Sequence, residues 1–321
     1  MFFPVLLFIL GLLLLIKGGD WFVDGATGIA HRFHVPELII GATVVSIGTT
    51  LPEVMVSATS AWKGAGGIAY GNAIGSIICN TALIAAITAA VRPGKVDAKA
   101  LKTPVIFFFI SAAVYVLNAY ITGYFSRTVG FALLGIFVVY MIVTIRQGFK
   151  KSPDMVVENE EPVTGSMSKD IILLVIGAVL IAVGAKLLVD NGQKIARALG
   201  VPESVIGLTI VALGTSLPEL VTAITSLIKG HGALSLGNVI GANIFNLVLV
   251  SGISTVIAPF EVPEASQLFG YNASFVLDIP LMLAVMAILT LPALFRGKLS
   301  RSQGIVLLLL YVGFCAIQFT M

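Results

Sequence analysis

One stretch of this chain is written twice. Gly41–Asn80 reads GATVVSIGTTLPEVMVSATSAWKGAGGIAYGNAIGSIICN, and Gly207–Asn246 reads GLTIVALGTSLPELVTAITSLIKGHGALSLGNVIGANIFN. The two copies align without a gap at a constant offset of 166 residues, with about half of the positions identical. A repeat of this length limits the architecture before any single residue does, because both copies must build the same unit. Each copy carries one acid among apolar residues, Glu53 in the first and Glu219 in the second.

The surroundings of those acids are apolar throughout. Hydrophobic residues make up 58% of the 321-residue chain and charged residues only 11%, against roughly 25% charged in a soluble domain. Apolar runs of about 20 residues recur along its length, each long enough to cross a hydrocarbon core of ~30 Å. The pattern predicts an all-α polytopic membrane protein in contact with the lipid bilayer. Ten spans are expected, near 2–17, 36–61, 68–90, 104–122, 128–146, 170–190, 203–228, 234–258, 272–294 and 303–320. The first run has no basic residue before it and Lys17 after it, the wrong polarity for a cleaved leader, so it is expected to remain as a helix.

The polar stretch 147–169 divides the chain into residues 1–146, a first five-helix repeat holding motif 41–80, and residues 170–321, a second holding motif 207–246. Its acids, Asp154, Glu158, Glu160 and Glu161, suit a solvated connector. With the N-terminus outside, the outer loops hold only Lys63, Arg127, Lys186, Lys194 and Arg197 of the 19 Lys and Arg. The positive-inside bias therefore puts both termini outside and the 147–169 linker in the cytoplasm. Five spans per half reverse the sense in which the second half enters the membrane. The copies are then inverted repeats, an architecture of secondary transporters with sites near the midplane.

Gly and Pro within the repeats, at Gly48 and Pro52 and again at Gly214 and Pro218, are expected to interrupt the helices and free backbone carbonyls. Thr49 and Glu53 are four apart and share a helix face, as do Thr215 and Glu219. Ser76 and Asn80 do the same on the following helix, and Asn246 is the mate of Asn80. Inverted packing of these faces predicts a cluster of carboxylates, carboxamides, hydroxyls and carbonyls without Cys or His. Oxygen-only ligation suits Na⁺, Ca²⁺ or Mg²⁺. Two intramembrane acids are too costly to keep without ligands. If one set of ions or another must fill the site before it changes access, the protein is an exchanger and not a leak.

Other residues carry less. Cys79 and Cys315 read as buried small hydrophobes. His31, His34 and His231 fall in expected loops, and Asp20, Asp24 and Asp190 at helix ends. Asn72 and Asn238 either bridge helices or line an ion path, and the neighbouring glycines suit close helix packing. There is no HExxH, no GxSxG and no His within a span, so an intramembrane enzyme is not expected. Nor is a nucleic-acid partner or a cofactor.

GTTLPE at Gly48–Glu53 and GTSLPE at Gly214–Glu219 resemble the signature of the cation/calcium antiporter superfamily, in its prokaryotic sodium/calcium exchanger branch. GNAIGS at Gly71–Ser76 with Asn80, and GNVIGA at Gly237–Ala242 with Asn246, resemble its second helices. The resemblance covers the whole chain and implies the sodium/calcium exchanger fold, ten transmembrane helices in which the first and sixth slide over the other eight. It implies antiport of Na⁺ against Ca²⁺ by alternating access, in the plasma membrane of a prokaryote, by a monomer. Glu53 and Glu219 would be the central Ca²⁺ ligands, with the carbonyls of Thr49 and Thr215. Sodium sites would use the Ser46 carbonyl, Thr49, Thr50 and Ser76 on one side and the Ala212 carbonyl, Thr215 and Ser216 on the other. Asn80 and Asn246 would sit between Glu53 and Glu219, which also serve the sodium sites. The alternative is a Ca²⁺/H⁺ exchanger using the same glutamates. Threonine at 49 and 215, where proton-coupled members carry Asn, favours sodium. Two departures stand out. Ala242 replaces a usual Ser, which weakens one sodium site, and Asn246 stands where potassium-dependent relatives carry Asp.

Overall fold

The computed structural model describes residues 2–149, 166–199, 212–264 and 267–320. Gly207–Val211 of the second repeat and most of the acidic linker lie outside the described residues. Among the described residues, nine helices are long and apolar enough to cross a membrane, and Leu217–Ile228 is a shorter apolar helix. In chain order the helices are α1 (Phe2–Arg32), α2 (Glu37–Ile40), α3 (Ser46–Trp62), α4 (Gly66–Cys79), α5 (Ala86–Val91), α6 (Ala98–Thr122) and α7 (Arg127–Phe149). The second half gives α8 (Met167–Ala198), α9 (Ala212–Thr215), α10 (Leu217–Ile228), α11 (Gly232–Phe245), α12 (Ser251–Ile257), α13 (Ile279–Arg296) and α14 (Arg301–Thr320). Single π-helical turns at Gly41–Val45, Asn80–Ala85 and Asn246–Val250 join α2 to α3, α4 to α5 and α11 to α12.

Helices α1 and α8 are much longer than the expected spans 2–17 and 170–190. At 31 residues and 1.5 Å per residue, α1 is roughly 46 Å long, more than the hydrocarbon core needs. Its polar end stays helical because the charges find partners. The Lys17 ammonium lies 5.4 Å from the Trp21 ring centroid, and Asp20 and Asp24 pair with Lys229 at 3.5 and 2.7 Å. On α8, Lys186 pairs with Asp190 one turn on, at 3.0 Å. His31, expected in a loop, is part of α1.

Packing divides the chain into two compact units, Met1–Thr49 with Met141–Asn238, and Thr50–Tyr140 with Val239–Met321. In the first unit α1 and α8 run antiparallel at backbone contact. Gly11, Gly18 and Gly25 of α1, seven residues apart, meet α8 at Gly184, Gly177 and Asp170. A Cβ on Gly177 would lie 2.5 Å from the Phe22 nitrogen and 2.8 Å from the Gly18 carbonyl oxygen. Lipid offers no hydrophobic drive to bring helices together, so close van der Waals contact through small residues does that work. The opposite face of α1, with Leu6, Ile9, Leu13 and Ile16, is exposed and apolar. At the far end, Arg32 donates from Nε and Nη2 to one carboxylate oxygen of Asp170, at 3.2 and 3.0 Å.

In the second unit, α14 lies against α5, where a Cβ on Gly304 would fall 2.5 Å from the Ala86 carbonyl oxygen. Gly130 of α7 meets α12 at Gly252 and Val256. Tyr70, Tyr115, Phe125 and Phe260 form one aromatic cluster. Asp97 caps α6 by accepting from the Lys99 and Ala100 amides, and Gly123 ends it at φ 63°. Short antiparallel pairs join Gly94–Lys95 to Lys298–Leu299 and Tyr124–Phe125 to Phe260–Glu261.

Two outcomes test this packing. Gly177→Val forces a branched side chain onto the Phe22 backbone, and overpacking of this kind costs about 1–3 kcal/mol. Its thermal midpoint in detergent is expected to fall, while Gly135→Ala, whose Cβ meets no described atom within 4 Å, keeps the wild-type midpoint. Equal midpoints would contradict the backbone contact. The second concerns His231, between α10 and α11. Its Nδ1 lies 2.7 Å from Glu37 Oε1, and His31 Nε2 is 3.7 Å from the same oxygen. The hydrogen bond to Glu37 raises the His231 pKa above its usual 6.5, against the opposing effect of burial, with Asp24 raising it further and Lys229 lowering it. A raised folded pKa gives stability that is full below the unfolded value and lost as pH rises through the folded value. The wild-type midpoint is therefore expected to drop as pH rises from below 6.5, and the difference from His231→Gln to shrink over the same window. A constant difference would contradict it.

Candidate functional site

The first repeat was expected to break at Gly48–Pro52. Instead α3 runs as a continuous α-helix from Ser46 through Pro52. The irregularity lies one turn earlier, in the π-turn Gly41–Val45. A π-turn shifts the backbone donor from the fourth to the fifth residue on, and the Ser46 amide accordingly donates to the Gly41 carbonyl. The second copy does break. Ser216, at φ −90° and ψ 8°, separates α9 from α10, with Pro218 in the first turn of α10. The difference changes the setting of the two acids. Glu53 sits within a helix, whereas Glu219 lies in the first turn of α10, where the free amides and the helix dipole favour negative charge. Both glutamates are fully buried.

In the first unit the structure joins three polar residues. The π-turn brings its backbone onto α11, where Gly41 packs on the Leu234 and Asn238 backbone and Gly237 on that of Leu38. No side chain fits there, so this glycine of the repeated GN pair serves close packing. The approach puts Asn238 beside α3. Thr49 Oγ1 donates to Asn238 Oδ1 at 3.1 Å. Ser46 Oγ lies 3.3 Å from the same atom, 3.0 Å from the Asn238 carbonyl oxygen and 2.8 Å from that of Gly41. All three side chains are buried. Ser216, also buried, makes no hydrogen bond through its hydroxyl to any described residue. Thr215 is partly exposed, and Ala212 begins α9.

In the second unit Asn72 donates from Nδ2 to the Glu53 carbonyl at 3.3 Å and to Ser57 Oγ at 2.8 Å. Thr50, Ser76, Asn80 and Asn246 are buried, and the side chains of Thr50, Asn80 and Asn246 make no hydrogen bond to described residues. Asn80 and Asn246 each open a π-turn. At the second of these, Ser251 gives both its amide and, at 2.9 Å, its hydroxyl to the Asn246 carbonyl. Buried carboxamides left without protein partners are costly, and such groups suit a polar ligand. Ala242, the mate of Ser76, is buried with no hydroxyl to offer.

The sequence reading missed two things. One is the π-turns, for which equal placement of Asn80 and Asn246 in the repeat is the only signal. The other is the different use of the paired asparagines Asn72 and Asn238. Two of their partners, Ser57 and Ser46, have alanine mates, Ala223 and Ala212, so the serine bonds could exist in only one copy. Among the described residues no group of three His, Cys, Asp or Glu comes together to hold a metal ion.

Comparison with known proteins bears on the family and the fold. The family model described as sodium/calcium exchanger protein matches residues 3–146 and 169–320. The chain is 38% identical over 309 residues to an uncharacterised membrane protein, MJ0091, of Methanocaldococcus jannaschii, covering 95% of this chain and 94% of that one. It is 33% identical over 350 residues to the sodium/calcium exchanger MaX1 of Methanosarcina acetivorans, covering 98% of both. The solved structure of the sodium-calcium exchanger NCX_Mj soaked with Na⁺ and Sr²⁺ superposes with a TM-score of 0.83 at 35% identity, over 98% of each chain. The repeated motifs, the helices they form and these matches lead to one assignment: the chain is an integral membrane protein that belongs to the sodium/calcium exchanger family of transporters.

Proposed function

We propose that this protein exchanges Na⁺ for Ca²⁺ across the membrane by alternating access, with Glu53 and Glu219 as the central cation ligands. The observation that carries the proposal is the complete burial of both glutamates at equivalent positions of the repeated motif. A carboxylate at the bilayer centre costs about 2.5–3.5 kcal/mol even on insertion scales, so a buried pair is kept for what it binds. The oxygen donors of both motifs favour hard cations. The carbonyls of Thr49 and Thr215 complete the Ca²⁺ shell. The sodium sites use Ser46, Thr49, Thr50 and Ser76 for one ion and Ala212, Thr215 and Ser216 for another, with Asn80 and Asn246 beside the glutamates. Without a hydroxyl at Ala242, one sodium site is weak. The same reading places the exchanger in the plasma membrane of a prokaryote as a monomer, with both termini outside and the 147–169 linker in the cytoplasm.

Glu53→Gln and Glu219→Gln keep the shape and remove the charge. Each is expected to reduce Na⁺-driven Ca²⁺ uptake in proteoliposomes to background while the purified variant elutes as folded protein. Wild-type rates in either variant would show that the two-glutamate site is wrong.

A further inference from the structure

A hydroxyl that ligates a cation offers it a lone pair, so its proton must go elsewhere. In this structure the Thr49 proton has a fixed destination. Thr49 Oγ1 donates to Asn238 Oδ1 at 3.1 Å. The acceptor is held in place, because Asn238 sits where glycines bring the Gly41 and Leu38 backbone against α11. Ser46 supports the arrangement from the same helix as Thr49, with its hydroxyl 3.0 Å from the Asn238 carbonyl oxygen. Asn238 is completely buried and its Nδ2 has no partner among the described residues. A carboxamide that served only to tie helices together would have both ends bonded, since each unpaired buried amide is costly.

We propose that Asn238 is a positioning residue for sodium: by accepting the Thr49 proton it turns the Thr49 lone pairs toward a bound Na⁺. The proposal rests on the exchange reading above and extends it to a residue outside its ligand set. It also gives that reading a direction. In that reading Ca²⁺ meets Thr49 through the backbone carbonyl, which is indifferent to the hydroxyl proton; the present proposal gives Na⁺ the Thr49 hydroxyl. Asn238 therefore discriminates between the two ions. Asn72, the repeat mate of Asn238, is used differently, donating to the Glu53 carbonyl and to Ser57 Oγ.

The test uses the full chain in proteoliposomes and two assays. Na⁺-driven Ca²⁺ uptake with varied Na⁺ gives the half-saturating Na⁺ concentration, and Ca²⁺/Ca²⁺ exchange without Na⁺ gives that for Ca²⁺. Asn238→Leu removes the acceptor, and is expected to raise the Na⁺ value by about tenfold, the loss of one good hydrogen bond, with the Ca²⁺ value within about twofold. Asn238→Asp keeps an acceptor on both atoms and restores the Na⁺ value to within about twofold. In a Thr49→Val background, Asn238→Leu adds less than about twofold, because the group it acts through is gone. If Asn238→Leu does not fold, Asn238→Ala takes its place with the same expected values. Equal shifts for Na⁺ and Ca²⁺, failure of Asn238→Asp to restore Na⁺, or a full additional loss on top of Thr49→Val would each overturn the proposal and leave the exchange reading standing. Wild-type uptake that needs no Na⁺ would overturn both.

Discussion

The structure is organised by the cost of burying polar groups away from water. Glu53 and Glu219 are wholly buried in a chain whose exposed helix faces are apolar, and nothing in hydrocarbon offsets that cost. Other polar residues of the motifs, Ser46, Thr49, Thr50, Ser76, Asn80, Asn238 and Asn246, are themselves buried. Each needs a partner or a ligand. Within the first unit, glycine provides the close approach that joins Ser46 and Thr49 to Asn238, at Gly41 and Gly237. Gly41 and Gly237 are thus a condition of the Ser46–Thr49–Asn238 contact as much as of the packing.

The two repeats share a sequence but not a geometry. Glu53 follows Pro52 inside an unbroken α3, with irregular hydrogen bonding confined to the π-turn before it. Glu219 follows a break at Ser216 and stands in the first turn of α10, where the helix dipole lowers the cost of its charge. Small substitutions reinforce the difference. Ser46 against Ala212 and Ser57 against Ala223 give Asn238 and Asn72 different partners. These hydroxyls, with Ser76 against Ala242 and the break at Ser216, are among the places where the copies are not equivalent.

Most of the fold was legible in the sequence because hydrophobic runs and an ungapped repeat are strong signals. The expected spans 36–61, 68–90, 128–146, 234–258, 272–294 and 303–320 agree to within a few residues, the fourth begins at Ala98 and not 104, and the start of 203–228 lies outside the described residues. The ends of α1 and α8 were not legible, since Lys17, Asp20 and Asp24 look like a loop until their partners Trp21 and Lys229 are seen. The break expected at Pro52 was misplaced for a related reason. A proline removes one amide without having to end the helix, and α3 runs through Pro52, while the irregular hydrogen bonding lies at Gly41–Val45. For the site, burial of Glu53 and Glu219 followed from the motif. The bond from Thr49 to Asn238 depends on a tertiary approach that no spacing encodes.

The central proposal is that the protein exchanges Na⁺ for Ca²⁺, with Glu53 and Glu219 as cation ligands. Its most direct test is uptake of radiolabelled calcium by the wild-type protein in liposomes loaded with Na⁺, with K⁺, or with a proton gradient alone. The account predicts uptake only where internal Na⁺ is present, and none with K⁺ or with the proton gradient. Uptake driven by the proton gradient without Na⁺ would contradict it and assign Glu53 and Glu219 to proton exchange.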